Sequence, residues 1–229
     1  MSTNKKNKNS GSRSFVLYTG ILIVVVVALF FVNQASKKEE NSNKILESAP
    51  PLAAQPVMGD ANAKVSIVEF GDYKCPSCKQ WGETVYPKLK EEYVDTGKAT
   101  FSYINVLFHG DESKLGALAG EAILKLYPDH FWAFNKGLFD AQPASAHDSA
   151  WLTEEKVLEV AKAVVPGFDE ASFKTTMAAE ETVKLVQLDE MLVNQFGVNG
   201  TPTVMINETQ ITNPFDYEAI KAAIDQKLK

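Results

Sequence analysis

The stretch Lys64–Cys78, KVSIVEFGDYKCPSC, reads as a buried strand, a short loop and a Cys-x-x-Cys that opens a helix. Val65, Ile67, Val68 and Phe70 are strand formers in a short apolar run, and Gly71-Asp72 ends it. Pro76 falls where a helix tolerates proline, in the first turn, whose N–H groups lack intrahelical partners. Cys75 is therefore placed at or near the N-cap. There the backbone N–H groups and the positive end of the helix macrodipole favour a thiolate over a thiol. Cys78, one turn on, shares the helix face and lies within reach of a disulfide to Cys75.

Other uses of a lone Cys-x-x-Cys are poorly served. Half a zinc site would need further ligands. The chain has only two cysteines, and His109, His130 and His147 have no ligand-like spacing to them. A purely structural bridge closing so small a loop would remove little unfolded-state entropy. A redox pair fits the strand-to-helix context, and the absence of a third thiol leaves nothing to mispair.

The 229 residues, 45% hydrophobic, suffice for one sizeable domain or two small ones. The net charge is -6. Residues 1–14 hold Lys5, Lys6, Lys8 and Arg13 and no acid, which leaves 19 basic against 29 acidic residues elsewhere. Arg13 is the only arginine. An acidic domain without arginine argues against nucleic acid and against bidentate phosphate binding. No glycine-rich phosphate loop and no internal repeat is present.

Phe15–Val32 is an uncharged apolar run of 18 residues that would span about 27 Å as a helix, close to the hydrocarbon thickness. It exceeds a cleaved signal's apolar region, and no small-x-small cleavage site follows. The preceding positive charges predict a cytoplasmic tail (1–14), a membrane anchor (15–32), with a cleaved signal as the alternative, and in either case everything after it outside the cytoplasm. Residues 33–55, with Lys37-Lys38-Glu39-Glu40 and Pro50-Pro51, read as a solvated linker. The folded domain is expected over 56–229.

Beyond the cysteines, Trp81, Val85, Leu89 and Tyr93 predict a helix to about Thr96, kinked at Pro87, with Gly97 as its stop. Residues 99–106 read as a strand parallel to the first. A helical block follows with no strand signal from about 113 to 196. Its pieces are stopped by Pro128 and Pro166-Gly167, and one is capped at Thr153. Thr203–Ile206 is a third strand, with a partner around Ile211 after a turn at Asn207-Glu208, and a helix from Tyr217 closes the chain. The fold class expected is α/β.

The order strand, helix, strand, helical block, strand, strand, helix resembles the thioredoxin fold with a helical insertion at about 110–196. Val68-Glu69-Phe70 through Cys75-Pro76-Ser77-Cys78, the segment Phe131-Trp132-Ala133-Phe134 and Gly197-Val198-Asn199-Gly200-Thr201-Pro202-Thr203 resemble the DsbA family of extracytoplasmic thiol-disulfide oxidoreductases. The similarity covers about 56–228 and is greatest to the membrane-anchored versions of Gram-positive bacteria, the BdbD type. Many family members carry His where this chain has Ser77.

The resemblance implies a Thr201–Pro202 cis loop facing the cysteines, where Thr201 pairs with an extended substrate beside Pro76 and Ser77. It implies that Glu69, which alternation alone leaves as a half-exposed strand residue, is a buried acid relaying the proton of Cys78. It implies no cofactor beyond the Cys75–Cys78 disulfide, reduced secreted or membrane-attached proteins as substrates, and a quinone-linked membrane partner that reoxidises the pair. A monomer is expected. Cys75 is read as the exposed nucleophile and Cys78 as the resolving thiol. Lys74 and Lys79 flank the pair and are candidates to favour the thiolate. Phe131, Trp132 and Phe134 are read as core, and no calcium-loop signature occurs near Asp169 or Glu180. Two rival functions share these features: a reductase or isomerase of the same fold, and a non-catalytic peptide-binding module.

Overall fold

A computed structural model describes residues 18, 20–30, 43–145 and 149–229. They fall in two units, Met1–Ser42 and Asn43–Lys229. In the first, residues 20–30 are helical and exposed. Residues 15–17, 19, 31 and 32 of the expected anchor lie outside the described residues. Among the described residues no helix is long and apolar enough to cross a membrane.

The second unit is built on a mixed sheet. Its strands are β1 (Lys44–Ile45), β2 (Val57–Met58), β3 (Val65–Gly71), β4 (Ala99–Asn105), β5 (Thr203–Ile206) and β6 (Thr209–Gln210). Their order is β1-β6-β5-β3-β4-β2. β3 runs parallel to β4, from Val65↔Ala99 to Gly71↔Asn105, and antiparallel to β5, with Phe70 opposite Thr203. β3 is buried on both faces, which is why its apolar residues run together rather than alternate strictly.

The two faces of β3 feed different cores. Val65 and Ile67 pack with Trp81, Leu89, Phe101, Ile220 and Ile224. Val68 and Phe70 pack with Ile104, Leu192, Phe196 and Met205. Each such buried side chain contributes about 1.5–3 kcal/mol relative to exposure. Glu69 keeps the phase of Val65 and Ile67, so its carboxyl is carried to the side covered by the cysteine helix. Gly71 lets Tyr103 approach from β4: a Cβ there would lie 2.4 Å from the Tyr103 ring.

The cysteine helix is α1 (Pro76–Thr84). It ends at Val85, and α2 (Tyr86–Leu89) and a π-helical turn (Lys90–Val94) follow. The expected single kinked helix is thus a broken one. Pro87 has no N–H for the Glu83 carbonyl, and its ring crowds that turn, so the helix restarts at Tyr86, one residue earlier. Gly97, at φ 72, makes the stop.

Between β4 and β5 lie α3 (Asp111–Leu126), α4 (Phe131–Asp140), α5 (Glu154–Val164), α6 (Glu170–Met177) and α7 (Glu180–Gln195). These form the expected helical insertion. Its core joins Tyr73, Ile123, Phe131, Phe134, Leu138, Val157 and Phe173 to both cysteines. Thr153 caps α5 by accepting from Lys156 N, as its sequence position predicts. The last helix of the block starts three residues before the expected Val183, because Glu180 and Glu181 occupy its first turn, where the macrodipole favours acids. The strand around Ile211 stops one residue short of it, at Gln210. α8 (Tyr217–Leu228) closes the chain with Ile220 and Ile224 buried.

The expected linker is corrected at its C-terminal end. Residues 43–55 belong to the folded unit. Lys44–Ile45 adds a strand to β6, and Leu46 and Leu52 pack on the core. Gln55 Nε2 donates to Asp189 Oδ1 at 2.7 Å, and Asp189 Oδ2 accepts from Asn105 Nδ2 at 2.8 Å. Burial pushes the Asp189 carboxyl up to about 6 against these donors, and that of neighbouring Glu121 up to about 8. Residues 33–42 lie outside the described residues.

The candidate active site

Cys75 is the N-cap of α1, with φ -75 and ψ 119, and Pro76 is the first helical residue. Both cysteines are free thiols. Pro76 and Ser77 are exposed, and Cys78, turned inward, is 1% exposed. Cys75 is only 7% exposed, so it is less open than the expected exposed nucleophile, though more open than its partner. Part of its cover comes from the β5 side. The Thr201–Pro202 peptide bond is cis, Pro202 is buried, and the Thr201 carbonyl oxygen accepts from Cys75 Sγ at 3.4 Å.

The two thiols are set apart electrostatically. The Cys75 pKa is lowered from 9.0 to about 5. The largest cause is a hydrogen bond from the Cys78 side chain. Burial opposes it, and the Thr201 side chain and the backbone N–H groups of Cys78 and Ser77 help it. The Cys78 thiol is pushed well up, first by burial, then by its bond to Cys75 and the charge of Glu69. Glu69 is 4% exposed and lies with Cys78 on the wall of one cavity. Its carboxyl is also pushed well up, by burial and by the Cys75 charge, and Oε1 is buried without a hydrogen-bond partner.

A nucleophile that ionises easily, a partner that holds its proton and a buried acid beside that partner make a site for thiol–disulfide exchange. Glu69 is buried, as the resemblance implies, and not the half-exposed residue that alternation alone leaves. The strand that carries it is covered on both faces.

Two residues passed over in the sequence hold the loop. Asp72 is 1% exposed. Its Oδ1 accepts from Lys74 N at 2.9 Å, and its backbone oxygen accepts from Cys75 N at 2.9 Å. Its Oδ2 accepts from Ser113 Oγ at 2.9 Å and Phe108 N at 3.1 Å, and pairs with His109 Nδ1 at 2.7 Å. Gln142, from the insertion, donates through Nε2 to Tyr73 O at 2.7 Å and Cys75 O at 3.2 Å. An Asp two residues before Lys74, at a strand end, is an Asx-turn signal. No local pattern points to Gln142.

The flanking lysines do other work than expected. Lys74 is 6% exposed and is paired to Glu112, whose second oxygen accepts from Trp151 N and Leu152 N. Lys79 Nζ donates to Gln142 O at 3.2 Å. Both pin the insertion against the cysteine loop. Phe131 and Phe134 are core, whereas Trp132 is half-buried and lines the same cavity as Glu69. Asp169 caps α6, and Glu180 pairs with Lys184. Among the described residues no group of three or more His, Cys, Asp or Glu side chains is placed to hold a metal ion.

Residues 52–226 match the thioredoxin family Thioredoxin_4. The chain is 37% identical over 190 residues to disulfide bond formation protein D of Bacillus subtilis, covering 83% of this chain and 84% of that one. It is 40% identical over 177 residues to the probable disulfide bond formation protein D of Bacillus anthracis, covering 77% and 80%. The crystal structure of oxidised BdbD from Bacillus subtilis superposes with a TM-score of 0.75 at 36% identity, over 81% of this chain and 99% of that one. The thiol-disulfide exchange protein α-DsbA2 from Wolbachia pipientis shares the fold, with a TM-score of 0.64 at 21% identity over 76% and 87% of the two chains. The chain belongs to the DsbA-like, BdbD-type thiol-disulfide oxidoreductases of the thioredoxin fold.

Proposed function

We propose that this oxidoreductase donates the Cys75–Cys78 disulfide to reduced proteins outside the cytoplasm through a mixed disulfide. One observation carries the reading: two free thiols one helical turn apart, Cys75 at the N-cap of α1 against the Thr201 carbonyl and Cys78 turned inward beside the buried Glu69. A substrate thiolate attacks Cys75 sulfur, and the S–S bond breaks toward Cys78. Cys78 leaves as a thiolate and takes a proton from Glu69, the buried acid beside it. A second substrate thiolate then attacks its own mixed-disulfide sulfur and expels Cys75, which leaves readily because its thiolate is stabilised. The substrate loses two electrons and the enzyme gains them. No cofactor besides the cysteine pair takes part.

Thr201, beside the buried Pro202, offers backbone groups to an extended substrate strand, with Pro76 and Ser77 on the exposed side of the sulfur. A membrane partner, quinone-linked by analogy with the family, returns the pair to the disulfide. The run Phe15–Val32 tethers the domain to the membrane as a monomer.

Cys78→Ser tests the reading. Without the resolving thiol, mixed disulfides through Cys75 should accumulate with client proteins and disappear on reduction. Cys75→Ser should trap none. Trapping by Cys75→Ser and not by Cys78→Ser would exchange the roles of the two cysteines, and equal trapping would remove the distinction between them. A reduction potential at or below about −250 mV, near the thioredoxin end of the scale, would favour the reductase reading instead.

A further inference from the structure

A cavity of about 560 Å³ opens on the side of α1 that faces the insertion, where α1 breaks into α2. Its floor holds Cys78 and Glu69, and its walls include Met58, Tyr86, Phe101 and Trp132. The rings form a continuous wall: Tyr86 and Phe101 centroids are 4.6 Å apart, and Phe101 and Trp132 centroids 5.3 Å. Glu69 is the buried acid of the lining, 4% exposed, and its Oε1 has no hydrogen-bond partner. Charges ring the mouth: Lys90 is paired with Asp95 and Lys136 with Asp140, Lys79 donates to the carbonyls of Asp140 and Gln142, and Glu83 and Glu91 also line it. The volume is in the range of small-molecule sites, which join an apolar wall to a few placed polar groups.

We propose that this cavity is a second binding site, distinct from the Cys75–Thr201 face, for a small neutral aromatic molecule with one hydrogen-bonding head of the phenol class. The ring stacks along Tyr86, Phe101 and Trp132, and the head reaches the Glu69 carboxyl. Neutrality follows from the floor. Burial disfavours charge there, as the direction of the Glu69 shift shows, and an ionic ligand would be desolvated without a counter-charge. A ligand so placed occupies the carboxyl that serves Cys78 and slows exchange at the redox pair. Binding itself does not depend on the direction of electron flow. A failure here therefore leaves the oxidase reading standing, and a failure of that reading leaves this site standing.

The test titrates the reduced full-length protein with 4-fluorophenol and with fluorobenzene, following backbone amide shifts. The expected result is saturable binding with shifts at Gly82, Asn135 and Trp132 and none at Thr201. 4-Fluorophenol should bind roughly fivefold tighter, the worth of about one hydrogen bond. Gly82 lines the cavity, and a Cβ there meets nothing within 4 Å. Gly82→Leu should therefore fold, fill the space and weaken binding by about tenfold or more. Glu69→Leu should erase the preference for the phenol. Three results would overturn the proposal: no saturation, unchanged binding in Gly82→Leu, or shifts confined to the Cys75–Thr201 face. Equal affinity for the two probes would overturn the role given to Glu69.

Discussion

Cys75 Sγ and the carbonyl oxygen of Thr201 meet at 3.4 Å across 126 residues of sequence. The contact joins the N-terminus of α1 to the start of β5. A carbonyl can only accept, so this contact holds the protonated thiol and opposes its ionisation. The Thr201 side chain acts the other way and lowers the Cys75 pKa, as do the N–H groups at the helix start. The donors outweigh the acceptor. When Cys75 is a thiolate or half of a disulfide, the Thr201 carbonyl is released, and a substrate backbone N–H can take it.

The first prediction follows from that ionisation. With Cys75 at about 5, reducing the disulfide takes up two protons below that pH and one above it. The potential should fall by about 59 mV per pH unit below pH 5 and by about 30 mV above it, until Cys78 also ionises. The group's folded pKa is depressed, so its stabilisation of the dithiol form is complete above the unfolded thiol value and is lost as pH falls through 5. At pH 7 that favours the reduced protein, against the opposing shift of Cys78. The potential should lie nearer −120 mV than −270 mV. Glutathione titrations at several pH values check both points, and a single slope from pH 4 to 8 would contradict the assignment.

Asp72 supports a prediction about the loop. Its carboxylate accepts from Lys74, Phe108 and Ser113 and pairs with His109, all from a position closed to water. Asp72→Ala leaves those groups to find other partners and should cost about 2–4 kcal/mol of stability. The Cys75 N–H is held by the Asp72 backbone and survives the change, so the loop should loosen rather than vanish. Denaturant midpoints measure the first effect. Alkylation rates at Cys75 and Cys78 measure the second, with Cys78 gaining more. A loss below 0.5 kcal/mol would show that the network is not what fixes the loop.

How far the sequence carries this architecture depends on the range of each signal. The strand Val65–Gly71 and the helix at Cys75 are legible because their patterns are local: an apolar run, a Gly-Asp stop and a proline in a first turn. Glu69 shares the phase of Val65 and Ile67, so its side of the sheet is readable. Its burial is not, because its neighbours include not only the cysteine helix but also Trp132, Asn135 and Phe139 of the insertion, more than about 60 residues further on. Lys74 looks like a free surface cation until Glu112 arrives from α3. Lys44–Ile45 has no strand pattern and pairs only because β6 leaves an edge open. Pro87 marks a disturbance, but the backbone choice at Val85 decides between a kink and a break.

The tether is a prediction about topology. The positive residues before Phe15 should keep the N-terminus in the cytoplasm and the folded unit outside. Protease added to intact cells stripped of their wall should remove the domain and leave a short membrane-bound stub. Complete protection of the domain would place it in the cytoplasm and end the extracytoplasmic reading.

Glu69 gives the last prediction, and its sign can be worked out in two places. Its carboxyl is buried, lacks a partner for Oε1 and has its pKa raised, first by burial and then by the Cys75 charge. A raised acid contributes its full stability below the unfolded value and loses it as pH rises through the folded value. The native fold is therefore penalised at neutral and alkaline pH for carrying this group. Glu69→Gln removes the penalty and keeps the shape. Its denaturation midpoint should match the wild type near pH 4 and exceed it increasingly from pH 6 to 8. Activity should move the other way. Without an acid beside it, Cys78 has no nearby proton source as it leaves the disulfide, and exchange should slow by up to about 10². The pH dependence of that step should flatten as well. Stopped-flow reduction by a model dithiol, read against pH, separates this from loss of packing, which would lower the rate equally at every pH. An unchanged rate and profile would reduce Glu69 to a buried acid that the fold merely tolerates.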